Sequence, residues 1–308
     1  MTRVLVAGDA NLDLILRGDV VPRFGQAEQL LDGADLVLGS SAGICASGLA
    51  RLGVSTLLCA RVGDDLFGTE TRRLLSEQGV DTAELRTVYG PTGVSVVLSH
   101  PDDRAILTLT GVMTDITAAD VVEAAERSGA THVHVASFFL LPALAAGLAD
   151  ALARLRAAGV TTSLDTNWDP SGGWSGVDAC LPFVDVLLPN AAEAVALAAA
   201  CSLPHGDGVE AARALASRGP IVAVKDGADG GFAVSGGDLV RGPGLAVDVV
   251  DTTGAGDSFD AGFLAAWTGG RPVDEAIRWA TAAGSLSTRG PGGTGAQATR
   301  SELEGAIR

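Results

Sequence analysis

The segment 247–264 places a glycine-containing loop, a carboxylate and a predicted helix start in immediate succession. Gly254 and Gly256 lack a Cβ atom, so the backbone can turn sharply there and approach a ligand closely. The apolar spacing over 255–267 predicts a helix, and the unpaired N–H groups and positive dipole end of its first turn favour an anion. Asp257 lies among those donors, and we interpret its carboxylate as a general base that accepts a proton from an incoming hydroxyl group.

This arrangement predicts phosphoryl transfer, a reaction in which the protein mainly positions the nucleophile and the donor and neutralises charge on the transferred group. The backbone amides of Ala255, Gly256 and Asp257 would form the anion hole. An ordinary glycine turn, with Asp257 and Ser258 as helix caps, is the alternative interpretation.

Polar residues also follow the first predicted strand. Asn11 and Asp13 lie where open α/β sheets place ligand contacts, beyond the carboxyl ends of the strands. The Asp13 carboxylate could accept two hydroxyl groups of a substrate, although a solvated turn aspartate gives the same pattern. Gly39 and Gly43 open the next predicted helix, so amides near Ser40 would also contact the substrate.

Two further candidates follow later strands. Asn190 and Glu193 are spaced i and i+3 at a predicted helix start, which places them on one face and also fits a helix cap with a first-turn glutamate. Lys225 is the only lysine of the chain, follows the predicted strand 221–224 and precedes Gly227. Its ammonium group could reach nucleotide phosphates, although a compositional preference for arginine would also leave one lysine by accident.

Short apolar runs alternate with helical segments along the chain, which predicts a parallel sheet between layers of helices. The predicted strands are 4–7, 55–62, 132–136, 161–164, 184–188, 221–224 and 245–250, the last of them buried and parallel. The clearest predicted helices, besides the one at 255–267, are 45–52, 66–78, 143–158, 193–200 and 209–217.

Two regions break this alternation, at about 14–38 and about 88–110. In the second region, 94–98 and 105–109 flank the turn 100–103 as a predicted hairpin. Neither region supplies a crossover helix. From the residues alone, an edge hairpin of the main sheet and a separate small sheet both remain open.

The composition restricts the partners. With 308 residues, 47% of them apolar, the chain can bury a large core as one domain of doubly wound size. A formal net charge of −16, from 21 basic and 37 acidic residues, argues against nucleic acid or an anionic membrane as partner. The four cysteines show no Cys-x-x-Cys spacing, which predicts buried free thiols. The chain opens on a predicted strand, without a signal sequence or an apolar span. We therefore expect a cytoplasmic location.

The segment Asp251-Thr-Thr-Gly-Ala-Gly-Asp257 resembles the C-terminal signature of the PfkB carbohydrate kinases, within the ribokinase-like superfamily. Other segments resemble motifs of the same family in the same order, so the resemblance covers nearly the whole chain. These segments are 8–13, 39–53, 62–68, 165–167 and 190–193.

The resemblance implies a single ribokinase-like domain over 1–308, with a three-layer α/β/α architecture, a mostly parallel central sheet and a small β lid. The lid would comprise about 14–38 and 88–110, close over the sugar, and support a homodimer. ATP and Mg²⁺ are the implied cofactors, with Mg²⁺ organised by Asn190 and Glu193, in part through water.

The resemblance further implies substrate and potassium sites. Asn11 and Asp13 would hold sugar hydroxyls, together with the glycine-rich segment that contains Gly39, Ser40 and Gly43. Asp251 and Thr253, with backbone carbonyls within 287–293, correspond to a K⁺ site beside the anion hole.

Two positions depart from the family pattern. A glycine pair of the family reads Gly39-Ser40, and an asparagine that contacts the substrate corresponds to Ile44. The absence of lysine near Gly39 disfavours an already phosphorylated substrate. Three arginines could nevertheless bind one: Arg17, Arg23 and Arg104.

We therefore expect an ATP-dependent kinase that phosphorylates a hydroxyl group of a sugar or sugar-like small molecule and releases ADP. One alternative is a nucleoside kinase of the same fold, with Phe138 and Phe139 in a base pocket, although only 4% of the residues are aromatic. A second alternative is a sensor that binds sugar or nucleotide without turnover.

Overall fold

The computed structural model describes residues 2–26, 28–100 and 104–307, and within them the chain forms two β-sheets and ten α-helices. The strands are β1 (Arg3–Ala7), β2 (Asn11–Gly18), β3 (Leu31–Leu38), β4 (Ser55–Gly63), β5 (Leu85–Val88), β6 (Gly93–Ser99), β7 (Arg104–Leu109), β8 (His132–Val135), β9 (Thr161–Leu164), β10 (Val186–Leu187), β11 (Ile221–Lys225), β12 (Gly230–Ser235) and β13 (Asp238–Pro243). The helices are α1 (Ser41–Arg51), α2 (Leu66–Glu77), α3 (Ala118–Ser128), α4 (Pro142–Ala145), α5 (Leu148–Ala157), α6 (Ala191–Ala200), α7 (Gly208–Ala216), α8 (Ala255–Thr268), α9 (Val273–Ser287) and α10 (Arg300–Ala306).

The larger sheet has nine strands in the order β13-β12-β11-β10-β9-β8-β1-β4-β5. Seven of them pair in parallel, and β12 and β13 continue the sheet antiparallel at one edge. The short apolar runs form its parallel strands because helices cover both faces and exclude water from both sides. The predicted mostly parallel sheet is confirmed.

Helices pack on the two faces through separate core clusters. One cluster joins the sheet to α3, α5, α6 and α7, with Leu152 and Leu197 fully buried. The other joins it to α1, α8 and α9, with Phe263 and Trp279 fully buried. Burying a large apolar side chain contributes about 1.5–3 kcal/mol. The predicted three-layer α/β/α architecture is therefore confirmed.

The smaller sheet has four strands in the order β3-β2-β6-β7. β2 and β6 run parallel, while β3 and β7 pair antiparallel on the outside. The predicted hairpin is present as β6 and β7, and its turn at 101–103 lies outside the described residues. The alternative of an edge hairpin on the main sheet is wrong, because β6 pairs with the long strand β2 instead.

The predicted strand at 245–250 is wrong, because the segment pairs with no strand among the residues that the structure describes. β13 already forms the sheet edge and ends at Pro243. Beyond it, Leu245, Val247 and Val249 line a cavity, and Val249 is 62% exposed. Their apolar side chains therefore form a cavity wall and not a layer of the sheet.

The predicted helix at 143–158 is divided into α4 and α5 at residues 146–147. Gly147 lies at the division, and a Cβ atom there would approach the Cβ of Ala118 to 3.1 Å. The close approach of Ala118 explains why glycine, a weak helix former, interrupts the pattern here.

No α-helix among the described residues is both long enough and apolar enough to cross a bilayer. The four cysteines are free thiols, of which Cys45, Cys59 and Cys180 are buried and Cys201 is half-buried. The predicted free thiols are confirmed.

Candidate active site

Two cavities open at the carboxyl ends of the parallel strands, on either side of the loop 252–257. The larger cavity, about 570 Å³, includes Thr252, Ala255 and Gly256 in its wall. The smaller cavity, about 260 Å³, includes Thr253, Gly254 and Asp257. A ligand in one cavity would therefore meet a ligand in the other at this loop.

The loop reaches the start of α8 through a left-handed residue. Gly254 has φ 71°, and a Cβ atom there would lie 2.7 Å from Gly293 Cα, so glycine is required. Ala255 N donates to Thr252 O over 3.2 Å, so one of the three predicted anion-hole amides already has a partner. The amides of Gly256 and Asp257 have no acceptor in the described part of the chain. These two donors remain for an anion.

Asp257 is 9% exposed and contributes to the wall of the smaller cavity. Gly254 is the N-cap of α8, and no side chain in the described part of the chain caps that helix start, so the alternative in which Asp257 or Ser258 serves as a helix cap is wrong. Burial raises the pKa of Asp257 to about 8; the Lys225 ammonium group opposes this, and Asp165 adds to it. A carboxyl group that titrates near neutral pH suits a general base.

Asn11 and Asp13, the residues predicted to contact substrate, both line the smaller cavity. Asn11 Nδ2 donates to Asp13 Oδ1 over 3.0 Å, and both residues lie on β2. A Cβ atom at Gly39 would overlap the Asp13 carboxylate, so glycine allows that close approach. Burial, with the nearby charge of Asp9, raises the pKa of Asp13 to about 6.

Two side chains accept from the backbone amides at the start of α1. Ser40 Oγ accepts from Gly43 N over 3.0 Å, and Asp9 accepts from the amides of Ser41 (3.3 Å) and Ala42 (3.0 Å). The amides of Ser41, Ala42 and Gly43 are therefore bonded within the protein. Ser40 itself lines the smaller cavity, so its contact with substrate, like that of Gly39 and Gly43, stays a prediction. Sequence reasoning missed Asp9, although a buried aspartate directly after β1 was a usable signal.

Ile44 occupies the position where the family pattern has asparagine. Its side chain packs against Gly293 and Gly254 and lines the smaller cavity. The wall of the smaller cavity is therefore apolar at Ile44, next to the predicted anion hole.

Lys225 ends β11, and both Lys225 and Gly227 line the larger cavity. Lys225 Nζ donates to Asp165 Oδ2 over 2.6 Å and to Asp260 Oδ2 over 2.9 Å. Its ammonium group is thus held by two carboxylates, a pairing that the sequence prediction of a phosphate contact did not include. Asp260 was missed, although its i+3 position after Asp257 on one helix was visible.

Asn190 and Glu193 form a capping box at the start of α6, which is the alternative considered from sequence. Glu193 Oε2 accepts from Asn190 N (2.8 Å), and Asn190 Oδ1 accepts from Glu193 N (2.9 Å). Burial and the charge of Asp165 raise the pKa of Glu193, and the Lys225 ammonium group opposes this rise. A backbone bridge between Asn190 and Lys225 places this pair beside Lys225, Asp165 and Asp260, here called the Lys225 cluster.

Asp251 bonds to Thr253 and to the C-terminal glycine loop, where the family resemblance implies a cation site. Asp251 Oδ1 accepts from Thr253 N (2.9 Å) and from Thr253 Oγ1 (2.7 Å), and Oδ2 accepts from Gly292 N (2.9 Å). These bonds place oxygen atoms beside the predicted anion hole.

Arg104 links the smaller sheet to this loop. It begins β7, lines the smaller cavity, and its Nη1 donates to Thr253 Oγ1 over 2.9 Å. The other two arginines considered from sequence, Arg17 and Arg23, form ion pairs with Asp35 and Asp19 and lie outside the wall of this cavity.

Comparison with known proteins agrees with this geometry. The profile of the pfkB family carbohydrate kinases matches residues 1–300. An ATP-dependent ribose-1-phosphate kinase of Halopiger xanaduensis is 35% identical over 289 residues, covering 93% of this chain and 92% of that protein. A fructoselysine 6-kinase of Escherichia coli is 31% identical over 236 residues, covering 75% of this chain and 82% of that protein.

Among solved structures, a putative ribokinase II from E. coli in complex with ATP and Mg²⁺ has a TM-score of 0.86 at 22% identity, covering 100% of this chain and 99% of that chain. The fold, the ordered motifs and the family match agree over nearly the full length. The chain therefore belongs to the pfkB family of carbohydrate kinases.

Proposed function

We propose that the protein transfers the γ-phosphoryl group of ATP to a hydroxyl group of a sugar or sugar-like small molecule. The observation that carries this proposal is the position of Asp257, buried at the junction of two cavities and beside the unpaired amides of Gly256 and Asp257. Membership of a carbohydrate kinase family supports the same reaction.

In the proposed reaction, the acceptor lies in the smaller cavity with hydroxyl groups at Asn11 and Asp13, and ATP lies in the larger one. Asp257 takes the proton of the reacting hydroxyl as its oxygen attacks the γ-phosphorus. The new O–P bond forms while the bond to the β-phosphate oxygen breaks, which releases ADP. The amides of Gly256 and Asp257 stabilise the charge that develops.

Mg²⁺ is a proposed cofactor, held by Glu193 and Asn190 in part through water. Asn190 and Glu193 fit this ion. The helix cap uses Oε2 of Glu193, which leaves the second carboxylate oxygen available beside the Lys225 cluster. Magnesium prefers oxygen ligands and keeps several waters, and it neutralises phosphate charge when bound. K⁺ is likewise proposed at Asp251 and Thr253, and faster turnover in K⁺ than in Na⁺ would support it.

The first experiment measures ADP release with Mg²⁺ and ATP across pentoses, hexoses, keto-deoxy sugar acids, sugar phosphates and nucleosides. Turnover on one class is expected, and Asp257→Asn should lower it by about 10²- to 10⁴-fold, the usual contribution of a general base. An Asp257→Asn variant that keeps most of its activity would contradict the assignment. Ligand-induced thermal stabilisation without any turnover would instead favour the sensor.

The nucleoside alternative gains no support from the smaller cavity. Its volume of about 260 Å³ is below the usual range of ~300–1,000 Å³ for ligand pockets. Its described wall contains no aromatic side chain, and Phe138 and Phe139 pack against each other outside it. A monosaccharide-sized acceptor fits this space better than a nucleoside.

We further propose that the acceptor carries an anionic group that Arg104 binds. A guanidinium group matches phosphate and carboxylate geometry, and Arg104 is the basic residue in the described wall of the smaller cavity. The Halopiger relative, a kinase of ribose 1-phosphate by name, also supports an anionic acceptor.

Arg104→Met should lower kcat/KM for a sugar phosphate or sugar acid about 100-fold, because a charge-assisted hydrogen bond is lost. It should lower kcat/KM for a neutral sugar far less. Equal losses on both would place Arg104 at the transferred phosphoryl group instead.

A homodimer through the smaller sheet is also proposed. Side chains alternate along a strand, so Leu36, Leu14, Val96 and Leu107 form one row on the face turned away from the cavity. Leu36 is 42% exposed and Leu107 61% exposed, and exposed apolar faces of this kind mark interfaces. Sedimentation should show a dimer that Leu107→Glu dissociates and the control Leu66→Glu does not. A monomeric parent protein would contradict this.

The free thiols support a reducing compartment, and we propose the cytoplasm. Detection of the protein in a cell fraction outside the cytoplasm would contradict this proposal.

A further inference from the structure

Next to Asp257 lies a buried cluster of one ammonium group and two further carboxyl groups. Lys225 Nζ donates to Asp165 and to Asp260, and both aspartates are 1% exposed. Carboxyl oxygens of Asp165, Asp257 and Asp260 lie within 4.8 Å of one another. Three acidic groups and one cation therefore share a small volume from which water is largely excluded.

One ammonium group cannot balance three buried carboxylates. An uncompensated buried charge costs several kcal/mol, and like charges at this range do not all ionise. At least one of the three carboxyl groups must therefore hold a proton. If that group were Asp257, it could not act as a base, so the catalytic role requires the proton on Asp165 or Asp260.

The hydrogen-bond pattern distinguishes these two. Asp260 Oδ1 is buried, and no donor in the described part of the chain reaches it. An ionised carboxylate oxygen left in that state is costly, whereas a protonated Asp260 can donate from Oδ1 to a neighbouring acceptor. Asp165 also accepts from Lys225 Nζ and, through Oδ1, from Asn167 N (3.0 Å), as an anion would.

We infer that Asp260 is a neutral carboxylic acid that donates a hydrogen bond to Asp165, and that Asp260 and Lys225 together keep Asp257 ionisable as the base. Both act through Asp257 and are positioning residues. Their effect on catalysis rests on the proposed function, whereas the protonation of Asp260 does not.

The electrostatic environment of each group agrees with this assignment. Burial opposes ionisation of Asp165, but the Lys225 ammonium group and a hydrogen bond with Asp260 hold its pKa below the ordinary value. Burial raises the pKa of Asp260 well above the ordinary value, and Lys225 only partly opposes this. The groups that act on Asp257 are Lys225, Asp165, Asp9, Asp260 and the hydroxyl of Ser41.

The test combines pH profiles with infrared spectroscopy of Lys225→Met and Asp260→Asn, using Lys225→Arg as a variant that keeps the charge. The acid limb of kcat/KM should move up by about one pH unit or more in Lys225→Met, because Asp257 loses its neighbouring cation, and stay in place in Lys225→Arg. It should also stay in place in Asp260→Asn, because an amide replaces a neutral acid of the same shape.

In alkaline buffer, where Asp257 is ionised, the parent protein should show the C=O stretch of a protonated carboxylic acid that Asp260→Asn lacks. An acid limb that moves down by a unit in Asp260→Asn, or an unchanged spectrum, would show that Asp260 is ionised and overturn the inference. An unmoved acid limb in a folded Lys225→Met would overturn the role of Lys225. The spectrum needs no turnover, so it tests Asp260 even if the proposed reaction fails in the acceptor panel.

Discussion

A single residue, Asp13, should make the affinity for the acceptor depend on pH. Its carboxylate would accept hydroxyl hydrogens of the sugar, and its pKa is raised to about 6 by burial and by Asp9. Protonation removes acceptor capacity, so acceptor affinity should weaken as pH falls through about 6 and be full above it. Calorimetric titration of the sugar against pH measures this.

The matched variant is Asp13→Asn, which should bind the sugar weakly at every pH while its affinity for ATP stays within about twofold. A sugar affinity in the parent protein that does not change between weakly acidic and neutral pH would remove Asp13 from the site.

At the scale of one element, the start of α1 contains a conflict between backbone and side chain. Ser40 has φ 65°, in the region that favours glycine, while its hydroxyl caps the helix at Gly43 N. The left-handed backbone conformation lowers the free energy of unfolding by about 1–3 kcal/mol, and the helix cap raises it by about 1 kcal/mol. Serine therefore offsets part of a strain that the family's glycine avoids.

Ser40→Ala should lower the unfolding free energy by about 1 kcal/mol, because it loses the cap and keeps the strain. Ser40→Gly should be at least as stable as the parent protein, because glycine caps nearly as well and relieves the strain. Thermal or denaturant unfolding measures the order of the three proteins. An alanine variant more stable than the glycine variant would contradict this account.

At the scale of the whole molecule, the active site opposes stability at alkaline pH. Asp257 and Asp13 have pKa values raised from 3.8 to about 8 and about 6, so between pH 3.8 and 8 the folded protein binds protons that the unfolded chain has lost. These two groups therefore make stability fall as pH rises through this window. The buried His132 and His134, whose pKa values are lowered from 6.5 to about 3 and about 4, act in the opposite direction only below about pH 6.5. Calorimetry of the protein without ligands should show Tm decreasing from about pH 6 to about pH 8.

Asp257→Asn should flatten that decrease and give a higher Tm than the parent protein above pH 8, because it removes a buried ionising group. We expect the same variant to lose turnover, so stability and activity should change in opposite directions. A Tm that rises with pH in the parent protein, or an identical slope in the variant, would count against this assignment.

Local signals along the chain were enough to predict several features of the fold and the site. The loop 252–257, the helix after it and the alternation of strands and helices follow from glycine positions and apolar periodicity, which neighbouring residues specify. Asp257 and Asp13 were identified for the same reason, since each lies in a short motif beside a predicted strand or helix.

Only the folded structure shows which residues that are distant in sequence lie close together in space. The order of strands in the sheet brings Asp165 and Lys225 beside Asp260 on α8, and no local pattern encodes that order. It also decided that 245–250 forms a cavity wall, because a strand needs a partner with free backbone groups and the sheet ends at β13. The protonation state of a buried carboxyl group depends on the groups that surround it in space. The inference that Asp260 is protonated therefore required the fold.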